Sequence, residues 1–572
     1  MRLWDLSANG FGNEYYAAGV RSMLQGFGLF IYNAFDPAGL VSLDKPPLAF
    51  WIQAIFAAVL GFSGWAIHLP QALAGTASVA LLYFLLRKPF GRTAALVAAL
   101  LLALSPIAVA ADRSNNTDSW LVLFLMIAAW LALRGRGLSF VFAMAALGLA
   151  FNVKMLAALV CGPALLAGWW LSGTMDWPRR LGWMVAGGIV LAIVSLSWAV
   201  VFDLTPERLR PQAGSSSSGS MLELIVMHNG LERFVRNRPA AAAMTPTPSQ
   251  TPRAAAYYDA VPTGPLRLAT PMLAGQFAWM SPFAVLGAVL AWRRRRAAVA
   301  LWAGWALTYG IVYSAAGGIF HIYYLATLAP PLAALAAIGG VELWRRGAAA
   351  LALGVAATAI WQAYLTGETL GWTATWIGFP AVALVAAAAA AWRDRRLTAL
   401  IGVVGLMVLP AAWALSPIFT PGNVMLPSAS LPRWLGIDDG RGPILSRKRT
   451  TQTDDPRLLA FLEAQRGNAR FLAAAPNALL AAPLIIRSGE PVLAFGGYLG
   501  NNPIMTLDAF AERVRRGEVR YVLLSFARRP ADFDGWVRAR GRPVDPALWH
   551  SQPPEMRRTV SLYDLGPRAP DR

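Results

Sequence analysis

The chain has 572 residues, of which 56% are hydrophobic and 14% charged, a balance that excludes an ordinary soluble globular protein. The formal net charge of +20 invites a nucleic-acid partner, yet the basic residues of the apolar portion fall in short loops, where membrane topology explains them. Cys161 is the sole cysteine and lies in an apolar run, which excludes disulfides within the chain and cysteine metal sites.

Met1 to Asn9 lacks the apolar core of a cleavable signal peptide. Arg2-Leu3-Trp4 reads like the outer end of a helix that precedes this chain. Residues 1–67 are expected to form a first outer loop carrying juxtamembrane helices. The apolar run 48–62 is read as an interfacial or re-entrant helix, because counting it as a span reverses the side of every later basic loop.

Residues 68–415 form the membrane domain, with about twelve spans expected from apolar run length. They fall at 68–86, 94–111, 119–133, 139–151, 155–172, 182–202, 271–291, 298–313, 322–341, 348–365, 375–392 and 398–415. Arg87/Lys88/Arg92, Arg134/Arg136, Arg179/Arg180, Arg293 to Arg296, Arg345/Arg346 and Arg393/Arg395/Arg396 all fall on one side, which the positive-inside rule makes cytoplasmic. The other side receives 112–118, 152–154, the long loop 203–270, 314–321, 366–374 and everything beyond 416. Within the long loop, Gly214 to Gly219 is a flexible serine-rich stretch, 239–256 reads as disordered, and Met221 to Phe234 has helical apolar spacing. The alanine run 385–391 reads as helix filler.

From residue 416 to 572 charge density rises, so a small extracytoplasmic α/β domain is expected. Arg470–Ala475, Pro491–Phe495 and Val519–Ser525 read as buried strands, with helices at 476–487 and 506–517 between them, implying a parallel sheet. No glycine-rich phosphate loop opens those helices, so this domain reads as an acceptor-binding or structural module. The fold class is a mainly α, polytopic membrane protein with outer-face juxtamembrane helices and a small C-terminal α/β soluble domain.

Lysine is scarce: Lys45, Lys88, Lys154 and Lys448 are all there is. Lys45 stands in Asp44-Lys45-Pro46-Pro47, ahead of a long apolar segment. The outer side before residue 416 collects Asn13-Glu14-Tyr15-Tyr16, Arg21, Asp44-Lys45, Asp112 to Asp118, Lys154 and His321. Transfer from a lipid phosphate to a hydroxyl needs a carboxylate to take the proton and cations to stabilise the departing phosphate. The sugar carbon gains oxocarbenium character, which favours a second carboxylate. Each residue also has a plain structural alternative. Asp112 and Asp118 can cap helices, Arg113 can pair with Asp112, and Lys154 can snorkel. His321 can be a satisfied polar residue, Glu14 an exposed charge, and Tyr323 and Tyr324 interfacial anchors.

Asn13-Glu14-Tyr15-Tyr16, Asp44-Lys45-Pro46-Pro47, Leu69 to Leu73, Arg113 to Asp118, Asn152-Val153-Lys154-Met155 and His321 to Leu325 ahead of Pro330-Pro331 together carry a resemblance. The chain resembles the GT-C superfamily of membrane glycosyltransferases, in the branch of protein O-mannosyltransferases and aminoarabinose lipid A transferases. The resemblance implies an inverting enzyme of the bacterial cytoplasmic (inner) membrane. It would move a sugar from a polyprenyl-phosphate donor to an envelope acceptor (lipid, glycan or protein) at the outer face, with membrane lipids around it and no nucleic acid. Candidate catalytic carboxylates are Glu14, Asp44 and Asp118. The family's first-loop acid position carries Asn13-Glu14 here, which leaves the base open among the three. Lys45, Arg113 and Lys154 are candidate phosphate ligands, and Asn13, Tyr16, Asn115, Asn116, His321 and Tyr324 candidate sugar or acceptor contacts. Some relatives bind a divalent metal, for which Asp44 and His321 are the candidate ligands. Competing readings are a polytopic lipid-linked-sugar transporter or flippase and a non-catalytic assembly subunit. A transporter usually keeps its polar residues near the bilayer midplane, whereas here they gather in outer loops.

Overall fold

A computed structural model describes residues 1–216, 218–234, 261–318, 320–370, 394–419, 425–430, 453–498, 500, 504–525, 531–552 and 560–566, with isolated positions from 378 to 389. The expected span 375–392 is described only at isolated positions, and the expected disordered stretch 239–256 lies outside the described residues. Two compact units are present. One comprises Met1–Gly10, His68–Ser197 and Asn229–Arg447; the other comprises Phe11–Ile67, Trp198–His228 and Lys448–Arg572.

The first unit is helical. Among the described residues, seven helices are long and apolar enough to cross a membrane, or up to nine if each bent pair is one span. Gly64–Phe90, Gly137–Lys154, Trp177–Leu204 and Arg395–Phe419 are among the seven. Arg92–Ala103 and Pro106–Asp112 meet at 62°, and Pro271–Phe277 and Ser281–Ala291 at 63°. Pro106 and Pro282 open the second helix of each pair, where the missing proline N–H costs nothing and the preceding turn cannot be continued. Two of the expected spans are shorter helices: Asp118–Ala132 has 15 residues, and the stretch 155–172 is interrupted near Cys161. Small residues let helices touch. A Cβ on Gly287 would lie 2.0 Å from the Leu335 carbonyl, and one on Gly339 would lie 2.1 Å from that of Phe283.

The second unit joins the two ends of the sequence in one core. Tyr15, Val20, Phe50 and Ala54 share a buried apolar cluster with Ile485, Val492, Leu523 and Trp549. Leu48–Leu60 supplies part of that core. Its 13 residues extend about 20 Å, short of a hydrocarbon core of roughly 30 Å. The helical spacing from Met221 to Phe234 yields a helix only over Met221–Val226, followed by turns and a short 3-10 segment at Leu231–Arg233.

The sheet has the order β2-β1-β3-β5-β4, with β1 Ala473–Ala475, β2 Val492–Ala494, β3 Tyr521–Ser525, β4 Arg542–Pro543 and β5 Val560–Asp564. The expected parallel sheet holds for β1, β2 and β3. It does not hold for β5, which pairs antiparallel with β3 and β4, so the sheet is mixed. Helices Ala478–Ser488 and Leu507–Arg515 fall where strand-helix alternation puts them, capped by Asn477 and Thr506.

Candidate functional site

The sequence-derived residues fall into the two units. Asn13, Glu14, Tyr16, Asp44 and Lys45 belong to the second; Arg113, Asn115, Asn116, Asp118, Lys154, His321 and Tyr324 belong to the first.

In the second unit, Asn13 caps the Glu14–Met23 helix by accepting from the Tyr15 amide, with Glu14 as the first helical residue and half-buried. Tyr16 is buried against Phe50, ring centroids 4.9 Å apart. Lys45 Nζ donates to Asp44 Oδ2 at 2.7 Å, and both side chains are 8% exposed. The Tyr15 hydroxyl accepts from the Asp44 amide at 3.1 Å, and Asn33 donates to the Lys45 carbonyl at 2.8 Å. Burial and the nearby Asp44 carboxylate hold the Tyr15 hydroxyl well above its usual range, so it stays a neutral support. Asp44 and Lys45 form a bend, Pro46 disfavours helix at Lys45, and Pro47 precedes the next helix, so the pair is held where the loop meets the helix start. The same loop is knotted by buried Asp36, which accepts from the amides of Ala38, Leu40 and Val41. Burial outweighs those amides and lifts the Asp36 carboxyl to about 6.

In the first unit, Lys154 Nζ donates to Asp118 Oδ1 at 2.6 Å, with the side chains 9% and 1% exposed. Lys154 is the last residue of Gly137–Lys154; Met155 stops that helix at φ 47°, a conformation disfavoured for a side chain other than glycine. Asn152 fixes the same turn by donating to the Val194 carbonyl at 2.6 Å, tying it to Trp177–Leu204. The ammonium lies 3.9 Å from the Tyr324 ring centroid and 4.9 Å from that of Tyr323. His321 stacks on Tyr323 with centroids 5.4 Å apart and meets Tyr324 edge-on at 5.3 Å. Asp118 is the first helical residue of Asp118–Ala132 rather than its N-cap, which is Thr117. Tyr323 and Tyr324 are 6% and 9% exposed and line this cluster, so the reading of them as interfacial anchors gives way to packing against a cation.

The remaining loop residues divide. Asp112 pairs with Arg2 at 2.6 Å, not with Arg113. Arg113 donates to the carbonyls of Met1, Trp4 and Asp5 and so holds the N-terminal segment. Asn115 and Asn116 are buried, and neither side-chain atom of Asn116 has a hydrogen-bond partner among the described residues. A buried amide in that state is suited to a ligand's hydroxyl. Sequence reasoning missed Arg233, whose guanidinium donates to the Tyr324 hydroxyl at 3.0 Å. Its signal was available, since an arginine in an expected outer loop runs against the positive-inside pattern.

Among the described residues no group of three or more His, Cys, Asp or Glu could hold a metal ion. Asp44 and His321, the two candidate ligands, belong to different units.

The family model described as dolichyl-phosphate-mannose-protein mannosyltransferase matches residues 44–198, and a model for the C-terminal region of YkcB-like candidate mannosyltransferases matches 458–540. Over 93% of this chain and 90% of its own length, YycA of Bacillus subtilis (strain 168), named as a candidate mannosyltransferase, is 32% identical. YkcB of the same organism, named likewise, is 31% identical over 94% of this chain and 89% of its own length. The crystal structure of ArnT from Cupriavidus metallidurans bound to undecaprenyl phosphate matches with a TM-score of 0.54 at 16% identity, covering 97% of this chain and 95% of that one, a likeness of fold. The chain belongs to the GT-C superfamily, in the family of these YkcB-like mannosyltransferase homologues, and is a multi-pass membrane glycosyltransferase.

Proposed function

We propose that the protein moves a sugar, with inversion, from a polyprenyl-phosphate donor to an acceptor hydroxyl at the outer face of a bacterial cytoplasmic membrane. The observation that carries this reading is the buried Lys154–Asp118 ion pair, whose ammonium packs on the rings of Tyr323 and Tyr324, which His321 in turn contacts. Two charges taken out of water need a reason, and an anionic phosphate beside the ammonium supplies one. Undecaprenyl phosphate bound to ArnT and the basic loops of the expected topology favour the same donor class and orientation. With the basic loops inside, residues 416–572 are extracytoplasmic.

In this reading Lys154 neutralises donor phosphate charge as the bond from the anomeric carbon to the phosphate oxygen breaks, and Lys45, by its resemblance motif, is a second candidate for that role. The acceptor oxygen forms the new bond on the opposite face, its proton passes to a carboxylate, and polyprenyl phosphate leaves. Asp44 and Asp118 each touch a lysine, and a carboxylate so placed suits stabilising positive charge on the sugar. Glu14 is the most solvent-accessible of the three carboxylates, and we assign it the base. Asn116 is assigned to sugar hydroxyls. Arg113 and Asp112 are assigned to holding the N-terminal segment.

The test is incubation of the purified full chain with polyprenyl-phosphate sugars and envelope acceptors, followed by mass spectrometry. Release of polyprenyl phosphate with a sugar-bearing acceptor is expected. Transfer unchanged in Asp44→Ala, Lys45→Ala and Asp118→Ala variants would sink this assignment, and movement of labelled lipid without transfer would favour the flippase.

A further inference from the structure

In the first unit, Arg267 is 6% exposed and lines a small, partly open recess. The other walls are apolar: Val261, Met272, Leu273, Phe320, Ile322 and Leu426. One guanidinium nitrogen, Nη1, donates to the carbonyls of Tyr313 at 2.8 Å and Ala316 at 2.6 Å, at the end of the Arg296–Ala315 helix. Those carbonyls offset part of the charge through the helix dipole. Nε is buried with no hydrogen-bond partner, and no carboxylate pairs with Arg267 among the described residues. The guanidinium carbon lies 4.4 Å from the Phe320 ring centroid. Burial holds its pKa below the usual arginine range, a sign that the cation is under-solvated where it sits.

A buried guanidinium without an acid is costly, and its planar fork fits the oxygens of a phosphate or carboxylate. Apolar walls around it select an anion carried on hydrocarbon over a hydrated ion. The recess adjoins the Lys154 cluster without being part of it: Phe320 meets Tyr324 edge-on at 5.8 Å, and Tyr324 in turn lies under Lys154. We propose that Arg267 and this recess form a second anion site, for the phosphate-type head of an amphiphile, separate from the lysines assigned to the donor phosphate. The source of that head is either a phosphorylated acceptor or a phospholipid of the bilayer. Its assignment to the acceptor rests on the transferase reading above; the binding itself does not.

Thermal unfolding of the detergent-purified full chain tests this with dodecyl phosphate, dodecanol as the uncharged control and inorganic phosphate. Dodecyl phosphate should raise the midpoint by at least about 2 °C, and dodecanol should not. The response should survive in Lys45→Ala and Lys154→Ala, where donor-phosphate cations are lost, should vanish when Arg267→Gln is added to either, and should persist in part when Arg267→Lys is added instead. Half-buried Met272→Glu, which adds a like charge to the wall, should also abolish it and serves if Arg267→Gln does not fold. Competition by phosphatidylglycerol but not phosphatidylcholine would assign the head to a bilayer lipid. No competition by either would assign it to the acceptor, and a response to inorganic phosphate alone would make the free ion sufficient. A response equal in wild type, Arg267→Gln and Met272→Glu, or one reproduced by dodecanol, would overturn the site.

Discussion

Lys154 Nζ sits 2.6 Å from Asp118 Oδ1, each side chain almost wholly removed from solvent. Removing one partner strands the other, so Lys154→Ala or Asp118→Ala should cost on the order of 3–5 kcal/mol of stability. Paired neutral replacement, Asp118→Asn with Lys154→Met, should recover much of that loss because neither charge is left stranded. Transfer should nevertheless stay at least about 100-fold below wild type, since a preorganised cation for the leaving phosphate is gone. Thermal unfolding alongside the transfer assay separates the two effects; a double variant as active as wild type would remove Lys154 from the chemistry.

Glu14 and Lys45 should fail in different ways. Glu14→Gln should lower kcat by about 10²–10⁴ while leaving donor affinity near normal, the signature of a lost base. Lys45→Gln should weaken donor binding as well as the rate. Lys45→Arg should not rescue fully, because a compact ammonium beside Asp44 differs from a planar fork in reach and donor geometry. Steady-state kinetics with varied donor decide it. If Glu14→Gln is fully active, the base is another carboxylate.

The Asp44-Lys45 pair was legible in the sequence, and Lys154 and Asp118 stood out singly, because charge is rare there: a lysine or aspartate next to an apolar run needs a partner or a ligand. Residue type and spacing also gave most helices and the first three strands. What could not be read was who meets whom at long range. Arg2 lies 110 positions from Asp112, and nothing in either segment names the other. Arg113 is a candidate phosphate ligand by resemblance, and its guanidinium donates to main-chain carbonyls of the N-terminal segment, a pairing that no local pattern announces. The sequence implied juxtamembrane helices within residues 1–67, but a helix prediction names no partner, so the shared core of Glu14–Met23 with Ala478–Ser488 stayed hidden. β4 and β5 escaped because β4 has two residues, both exposed.

Gly75 probes the Arg2–Asp112 pair. A Cβ there would stand 2.1 Å from the Asp112 carboxylate carbon, so the carboxylate must move and its 2.6 Å contact with Arg2 be broken or bent. Gly75→Ala should therefore destabilise by about 1–3 kcal/mol despite alanine's better helix propensity. In an Asp112→Ala background, already weakened, the same change should cost little, because the clashing group has gone. A double-mutant cycle by thermal unfolding measures the coupling. Equal costs in both backgrounds would show that Gly75 is set by something other than Asp112.

Asp36 gives the pH dependence. Its carboxyl is buried and lifted to about 6 in the folded protein, against about 4 unfolded. Between those values the folded chain holds a proton that the unfolded chain releases, so protonation favours folding. This contribution is full below about pH 4 and is lost as pH rises through about 6, a change of up to about 3 kcal/mol for two pK units. Asp36→Asn cannot titrate and should lose that slope. It should also be less stable throughout, because an amide group would face the Leu40 and Val41 N–H donors that Oδ2 now accepts. Unfolding midpoints from pH 4 to 8 check both. A wild-type profile parallel to that of Asp36→Asn would mean that the three amides hold Asp36 ionised and that burial does not dominate.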